Sequence, residues 1–178
     1  MDRREDYVIR RAEAADAAGL AQVHDATWRE TYLGLLSAEM LDALTADARA
    51  EAWARILAGE AGYLSRTYVA ERDGVFVAFG SCGDQRDPGL AALGYAGEIA
   101  AVYVLKSDQR QGLGQRLMTT MMADLKDRGV AGYSLWVPRD NFPARSLYEQ
   151  LGGKLIGQRQ DARGPGVLAE VGYGWLVA

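Results

Sequence analysis

Glu98-Ile99-Ala100-Ala101-Val102-Tyr103-Val104-Leu105 runs into Gln109-Arg110-Gln111-Gly112-Leu113-Gly114 and then into a helix-spaced series, Leu117, Met121 and Leu125. The first segment is apolar enough to be a central strand. Leu113, Leu117, Met121 and Leu125 recur at i+4 spacing, which predicts an amphipathic helix that Gly129 stops. Strand character resumes at Tyr133-Ser134-Leu135-Trp136-Val137. Between strand and helix, free backbone N–H groups and the helix dipole favour an anion, and the glycines let a phosphate come close. Two familiar nucleotide motifs do not fit. The dinucleotide fingerprint needs a third glycine where Leu117 stands, and the P-loop needs Gly-Lys-Ser/Thr, whereas Gly153-Lys154 is followed by Leu155.

Either side of this unit the same patterning continues. Upstream, Tyr7-Val8-Ile9-Arg10-Arg11 reads as an opening strand and 13–30 as a helix. Ser37 is placed to cap a short helix over about 38–44, and Asp47 to cap another over 48–57. Asp73-Gly74 between two alternating segments predicts a hairpin, after which 85–94 is a loop. Downstream, 141–151 is a helix with Pro143 in its first turn and Gly152-Gly153 at its end, and strands over about 154–160 and 170–177 flank a Gly/Pro-bearing loop. No repeat or linker breaks the chain, so one domain over 1–178 is expected.

Composition narrows the function. With 20 basic and 24 acidic side chains the net charge is −4, which argues against a broadly basic nucleic-acid binder. A length of 178 residues with 49% hydrophobic and 25% charged residues suits a globular domain with a substantial core. One cysteine, Cys82, and one histidine, His24, cannot make an intrachain disulfide or a Cys/His zinc site. Met1-Asp2-Arg3-Arg4-Glu5-Asp6 has no apolar signal core, and the weakly polar stretch 89–105 is interrupted by Glu98, so no membrane span and a reducing, cytoplasmic location are expected.

One strand-helix length beyond the turn comes a second constellation, Asn141-Phe142-Pro143-Ala144-Arg145-Ser146-Leu147-Tyr148-Glu149-Gln150-Leu151-Gly152-Gly153, in which Asn141, Ala144, Tyr148 and Leu151 share a helical face. At these residues the chain resembles the GNAT superfamily of acyl-CoA-dependent N-acetyltransferases. Gln109, Gly112 and Gly114 fill the family's Arg/Gln-x-x-Gly-x-Gly/Ala motif, and Asn141, Ala144, Leu147, Tyr148 and Gly152 fill its Asn-x-x-Ala-x-x-Leu-Tyr-x-x-x-Gly segment. Lys106 stands where the family often has proline, and Gly153 where it has an aromatic. The resemblance implies an α/β (α+β) fold, a mixed and largely antiparallel sheet of about six or seven strands with helices on both faces, splayed near Val104 and Trp136.

What it implies for the site is specific. Backbone N–H groups of Arg110, Gln111, Gly112, Leu113, Gly114 and Gln115 would cradle the CoA pyrophosphate, with Arg110 and Arg116 adding charge. Val104 and Leu105 would pair with the pantetheine arm, a backbone N–H near Val102 or Tyr103 would polarise the acetyl carbonyl, and Asn141 and Ala144 would meet the cofactor from the next helix. Tyr148 would protonate the leaving thiolate; the alternative is a phenol that packs and orients the sulfur. A phenol near pKa 10 is a weaker acid than a thiol near roughly 8.5, so position must help it.

Glu98 is the only charge in the central strand, and it resembles the glutamate that accepts the amine proton directly or through water; the alternative is a solvated carboxylate at a strand start. Simple alternation puts it on one face with Ala100, Val102 and Val104 unless a bulge intervenes. Thr27-Trp28-Arg29-Glu30-Thr31-Tyr32 resembles the pocket segment of relatives of polyamine acetyltransferases, which places Trp28 and Tyr32 along the acceptor. His24 and Cys82 read as packing residues. The expected activity is transfer of acetyl from acetyl-CoA, without metal, to a primary amine of a small molecule (polyamine-like or another amino compound) or of a protein N-terminus. Family habit adds a homodimer. The rival is an acyl-CoA-binding regulatory module without turnover.

Overall fold

The computed structural model describes residues 7–34, 36–42, 45–60, 65–163 and 166–177. Seven strands, β1 (Val8–Arg11), β2 (Ser65–Arg72), β3 (Val75–Asp84), β4 (Gly97–Val104), β5 (Gly132–Pro138), β6 (Lys154–Arg163) and β7 (Gly166–Leu176), make one sheet in the order β1-β2-β3-β4-β5-β7-β6. Every neighbouring pair is antiparallel except β4 and β5. The helices are α1 (Ala17–Tyr32), α2 (Ala38–Leu41), α3 (Ala46–Leu57), α4 (Pro88–Ala92), α5 (Leu113–Asp127) and α6 (Phe142–Gln150). Among the described residues no helix is long and apolar enough to cross a membrane.

The apolar stripe of α5 explains where it sits. Leu113 and Leu117 pack on Ala70, Val77 and Ala78, while Met118, Met121 and Leu125 join Ile99 and the β5 and β7 side chains Leu135, Val137 and Tyr173. Each of these α5 side chains is fully buried, a contribution of about 1.5–3 kcal/mol apiece. The opposite face carries α1 and α3, whose Leu20, Val23 and Trp53 bury Val69 and Phe79. The β2–β3 hairpin closes through Asp73 at φ 53° and Gly74 at φ 76°, the two left-handed residues of the turn that matches strand twist.

Three local expectations are corrected. The cap of α3 is Thr45, whose hydroxyl accepts from Ala48 N, and not Asp47, which lies in the first turn. The stretch 85–94 contains α4, started by Asp87 accepting from Gly89 N and Leu90 N with Pro88 behind it. The helix after Ser37 ends at Leu41; residues 43–44, where it was expected to continue, lie outside the described residues.

The fourth correction bears on the site. Between β3 and β4 the register slips, with Ser81 opposite Ala101 and Cys82 opposite Ile99, so Ala100 has no partner. This bulge breaks the alternation. Ile99, Val102 and Val104 pack with the α5 side of the sheet, while Ala101 and Tyr103 pack with the α1 side. Glu98 therefore shares its face with Ala101 and Tyr103 and not with Val102 and Val104.

Candidate active site

β4 and β5 pair only at Gly97–Tyr133 and Glu98–Ser134, and beyond that point the two strands have no shared register. Leu105 N donates to Val77 O at 2.9 Å. In an antiparallel pair such groups alternate, so Tyr103 also turns its N–H to β3, while Val102 and Val104 turn theirs into the gap on the β5 side. Leu105 is doubly engaged, because its carbonyl accepts from Asp108 N at 2.8 Å. Of the pair expected along the pantetheine, the Val104 N–H faces the gap and that of Leu105 faces away; of the two positions expected at the acetyl carbonyl, Val102 faces the gap and Tyr103 faces away. Gln109 Nε2 caps the Val104 carbonyl at 3.0 Å.

The turn follows at once. Arg110 at φ 63° and Gly112 at φ 78° are both left-handed, and Gly112 is the residue before the first turn of α5. The first helical bond runs from Arg116 N to Gly112 O at 3.1 Å, which leaves Leu113, Gly114 and Gln115 N–H without helical acceptors. A Cβ on Gly112 would meet nothing within 4 Å, and one on Gly114 would only touch Leu147 Cδ2 at 3.4 Å and Val104 Cγ2 at 3.9 Å. Protein packing alone does not demand glycine at 114, and the missing Cβ lets a ligand come close to the backbone there. The turn is thus a bare cradle of N–H donors.

A buried carboxylate holds the cradle in place. Asp108 is fully buried and accepts from Tyr7 OH at 3.1 Å, from Ser107 Oγ at 2.6 Å and from the Arg72 guanidinium. Arg116 Nη2 donates to Tyr7 O at 3.1 Å, so its guanidinium ties β1 to α5; Arg110 is exposed. Sequence reading missed Asp108 and Arg72, since nothing in their local pattern marks a partner 36 positions away.

Across the gap, Asn141 accepts from Ala144 N at 3.4 Å and starts α6. One face of α6 brings Leu147 against Gly114 and buries Tyr148 beside Tyr173 and Trp175, with ring centroids 6.0 and 6.3 Å away. Burial, with Tyr32 as a lesser cause, pushes the Tyr148 phenol well above its ordinary pKa. It is therefore protonated, and a weaker acid than an ordinary phenol.

On the α1 face lies a pocket of about 420 Å³ whose walls include Trp28, Arg49, Trp53, Tyr103, Arg86 and Glu98. Glu98, with its side chain 13% exposed, is gripped by Arg86: Nε donates to Oε2 and Nη2 to Oε1, both at 2.8 Å. Trp28 lines the pocket, and Tyr32 is buried beside it, its ring centroid 4.2 Å from that of Trp28 and its hydroxyl 3.5 Å from that of Tyr103. His24 Nδ1 accepts from Trp53 Nε1 at 3.2 Å. Burial, helped by the charge of Arg49, lowers its pKa to about 4, so the ring is neutral and its one free lone pair is used. The Cys82 thiol, pushed up to about 12 by burial, donates to Asp124 Oδ2 at 3.6 Å and is a core group.

A seven-stranded mixed sheet thus opens between its two parallel strands, with a turn of N–H donors on one lip and a buried phenol on the other. The sequence profile of the Acetyltransferase (GNAT) family matches residues 20–153, and the chain belongs to that family. Among its relatives, the uncharacterized N-acetyltransferase YuaI of Bacillus subtilis (strain 168) is 29% identical over 168 residues, 94% of this chain and 91% of that one. The YncA putative acetyltransferase from Salmonella typhimurium, solved with acetyl-CoA, has the same fold at TM-score 0.70 and 22% identity, covering 97% of this chain and 95% of the other. PaiA N-acetyltransferase from Thermoplasma acidophilum, solved with coenzyme A, matches at TM-score 0.67 and 20% identity over 92% and 97% of the two chains. The bare Gly112–Gly114 cradle and the outward N–H groups of Val102 and Val104 fit a pyrophosphate with an extended arm.

Proposed function

We propose that this chain, as one domain over 1–178, moves acetyl from acetyl-CoA directly to a primary amine of a small molecule or a protein N-terminus. The observation that carries the reading is the joining of two openings at one strand: Val102 and Val104 face the gap beside the turn, while Glu98 and Tyr103 on the same β4 face the pocket. Bound acetyl-CoA supplies an activated acyl carbon. N–H groups of Gly112, Leu113, Gly114 and Gln115 hold the pyrophosphate, Arg110 adds charge, and Val104 N–H pairs with the arm. Val102 N–H is the donor aimed at the acyl oxygen, where developing negative charge is worth most to stabilise.

Glu98 takes the amine proton, directly or through water, and Tyr148 returns one to the sulfur. Arg86 holds both Glu98 oxygens, so an amine or water must use their remaining lone pairs or displace the half-exposed guanidinium. That clamp also favours the second reading, an acyl-CoA-binding module without turnover. The reading extends to a reducing, cytoplasmic location and a homodimer, the latter by family habit.

Calorimetry with acetyl-CoA and free CoA, beside a free-thiol release assay on a panel of primary amines, tests it. Binding with thiol release supports the transferase. Binding with an intact clamp and no release on any amine supports the module, and no CoA binding overturns both.

A further inference from the structure

Arg49 is only partly satisfied by the protein around it. On α3 it shares a face with Trp53 and Ile56, one and two turns on, and that face lines the 420 Å³ pocket. Its side chain is 5% exposed, and its guanidinium lies 5.8 Å from the Trp28 ring centroid. Its buried Nε has no hydrogen-bond partner. The nearest carboxylate oxygen, Asp25 Oδ1, is 3.4 Å from Nε, and Asp25 already serves Arg29 at 2.9 Å through its other oxygen. His24, beside it, is neutral.

A buried guanidinium whose Nε makes no hydrogen bond is costly unless something completes it. The pocket's second guanidinium differs in kind: Arg86 spends its fork on Glu98. Arg49 is thus the cation with donor capacity to spare, and its planar fork matches an oxyanion.

Resting on the transferase reading, we infer that the acceptor amine belongs to a molecule that also carries an oxyanion, a carboxylate or a phosphate, and that Arg49 is the residue that binds it. The aromatic walls Trp28, Trp53 and Tyr103 enclose the spacer between the two groups, and Glu98 meets the amine end. Polyamines, which present a second cation to Arg49, are selected against.

Thiol release is measured with matched acceptors, 4-aminobutanoate against its amide, O-phosphoethanolamine against ethanolamine, and a diamine of similar length, and acetyl-CoA binding is followed by calorimetry on each protein. The expected result is kcat/KM at least about tenfold higher for one oxyanion-bearing amine than for its neutral partner; which pair responds tells carboxylate from phosphate. Arg49→Met then lowers kcat/KM for the favoured acceptor about a hundredfold more than for the neutral one, and Arg49→Lys recovers part of that difference. Equal rates within each pair, or a faster diamine, in the unaltered protein overturn the inference and leave the transferase reading standing. An equal loss on both acceptors in Arg49→Met does the same. Failure to bind acetyl-CoA overturns the transferase reading itself.

Discussion

The anion cradle is made of consecutive residues, 109–115, and acts through backbone N–H groups; the acceptor pocket draws His24 and Trp28 from α1, Arg49 and Trp53 from α3, and Glu98 and Tyr103 from β4, and acts through side chains. The first is built from local features, left-handed residues, an absent Cβ and a helix to follow, with Asp108 anchoring it to Tyr7 and Arg72. The second exists only once three elements have packed. On the proposed reading, the cradle is the generic part and the pocket is the part that selects the acceptor. Damage to either should then be separable, cradle variants acting on CoA affinity and pocket variants on the amine.

The sharpest test of that separation stands between the two regions. Tyr148→Phe removes the proton donor without a large change in shape, so kcat should fall about a thousandfold while the calorimetric Kd for CoA moves little. If CoA affinity falls with it, Tyr148 belongs to the cradle and the division fails.

His24 tests the pocket wall through stability. Its native pKa of about 4 lies below the unfolded value of 6.5, so the unfolded chain takes up the proton first as pH falls. Stability is unaffected above 6.5 and declines between 6.5 and 4, by roughly 3 kcal/mol at pH 4 from this residue. Calorimetric unfolding of His24→Gln across pH 7 to 4 should show that much less pH dependence than the unaltered chain.

Glu98→Gln keeps the side chain's size and removes the proton acceptor. The amine kcat/KM should drop about a hundredfold, with CoA binding unchanged by isotherm. The smallest effect is expected at the cradle: Gly112→Ala places a Cβ at φ 78°, a strain of about 1–2 kcal/mol, and should weaken CoA about tenfold while the relative rates among amines stay as they were.

The cradle, the helix behind it and the Asn141–Tyr148 face were all legible, because each depends on spacing within one element or one turn. Trp28 and Tyr32 were legible as neighbours along α1, whereas the burial of Tyr32 with its hydroxyl against that of Tyr103 is a depth that helical spacing does not encode. Val104 and Leu105 were read together along the arm and Val102 or Tyr103 at the acetyl carbonyl, and the parity of β4 against β3 divided each pair. Arg49, Arg86 and Asp108 were not legible as site residues at all. A charged residue on a helix or loop reads as surface until another segment buries it.

What the sequence determined is everything carried by local stereochemistry: a strand, a left-handed glycine and an amphipathic helix in that order, and a phenol two turns from an amide cap. Tertiary structure decided the rest. The unpaired Ala100 moved Glu98 to the pocket face, the end of pairing after Ser134 exposed the Val102 and Val104 N–H groups, and the docking of α3 against α1 enclosed the Arg49 guanidinium. Register and burial arise from contacts between distant segments, and their free energies are set by neighbours that no short window of sequence contains.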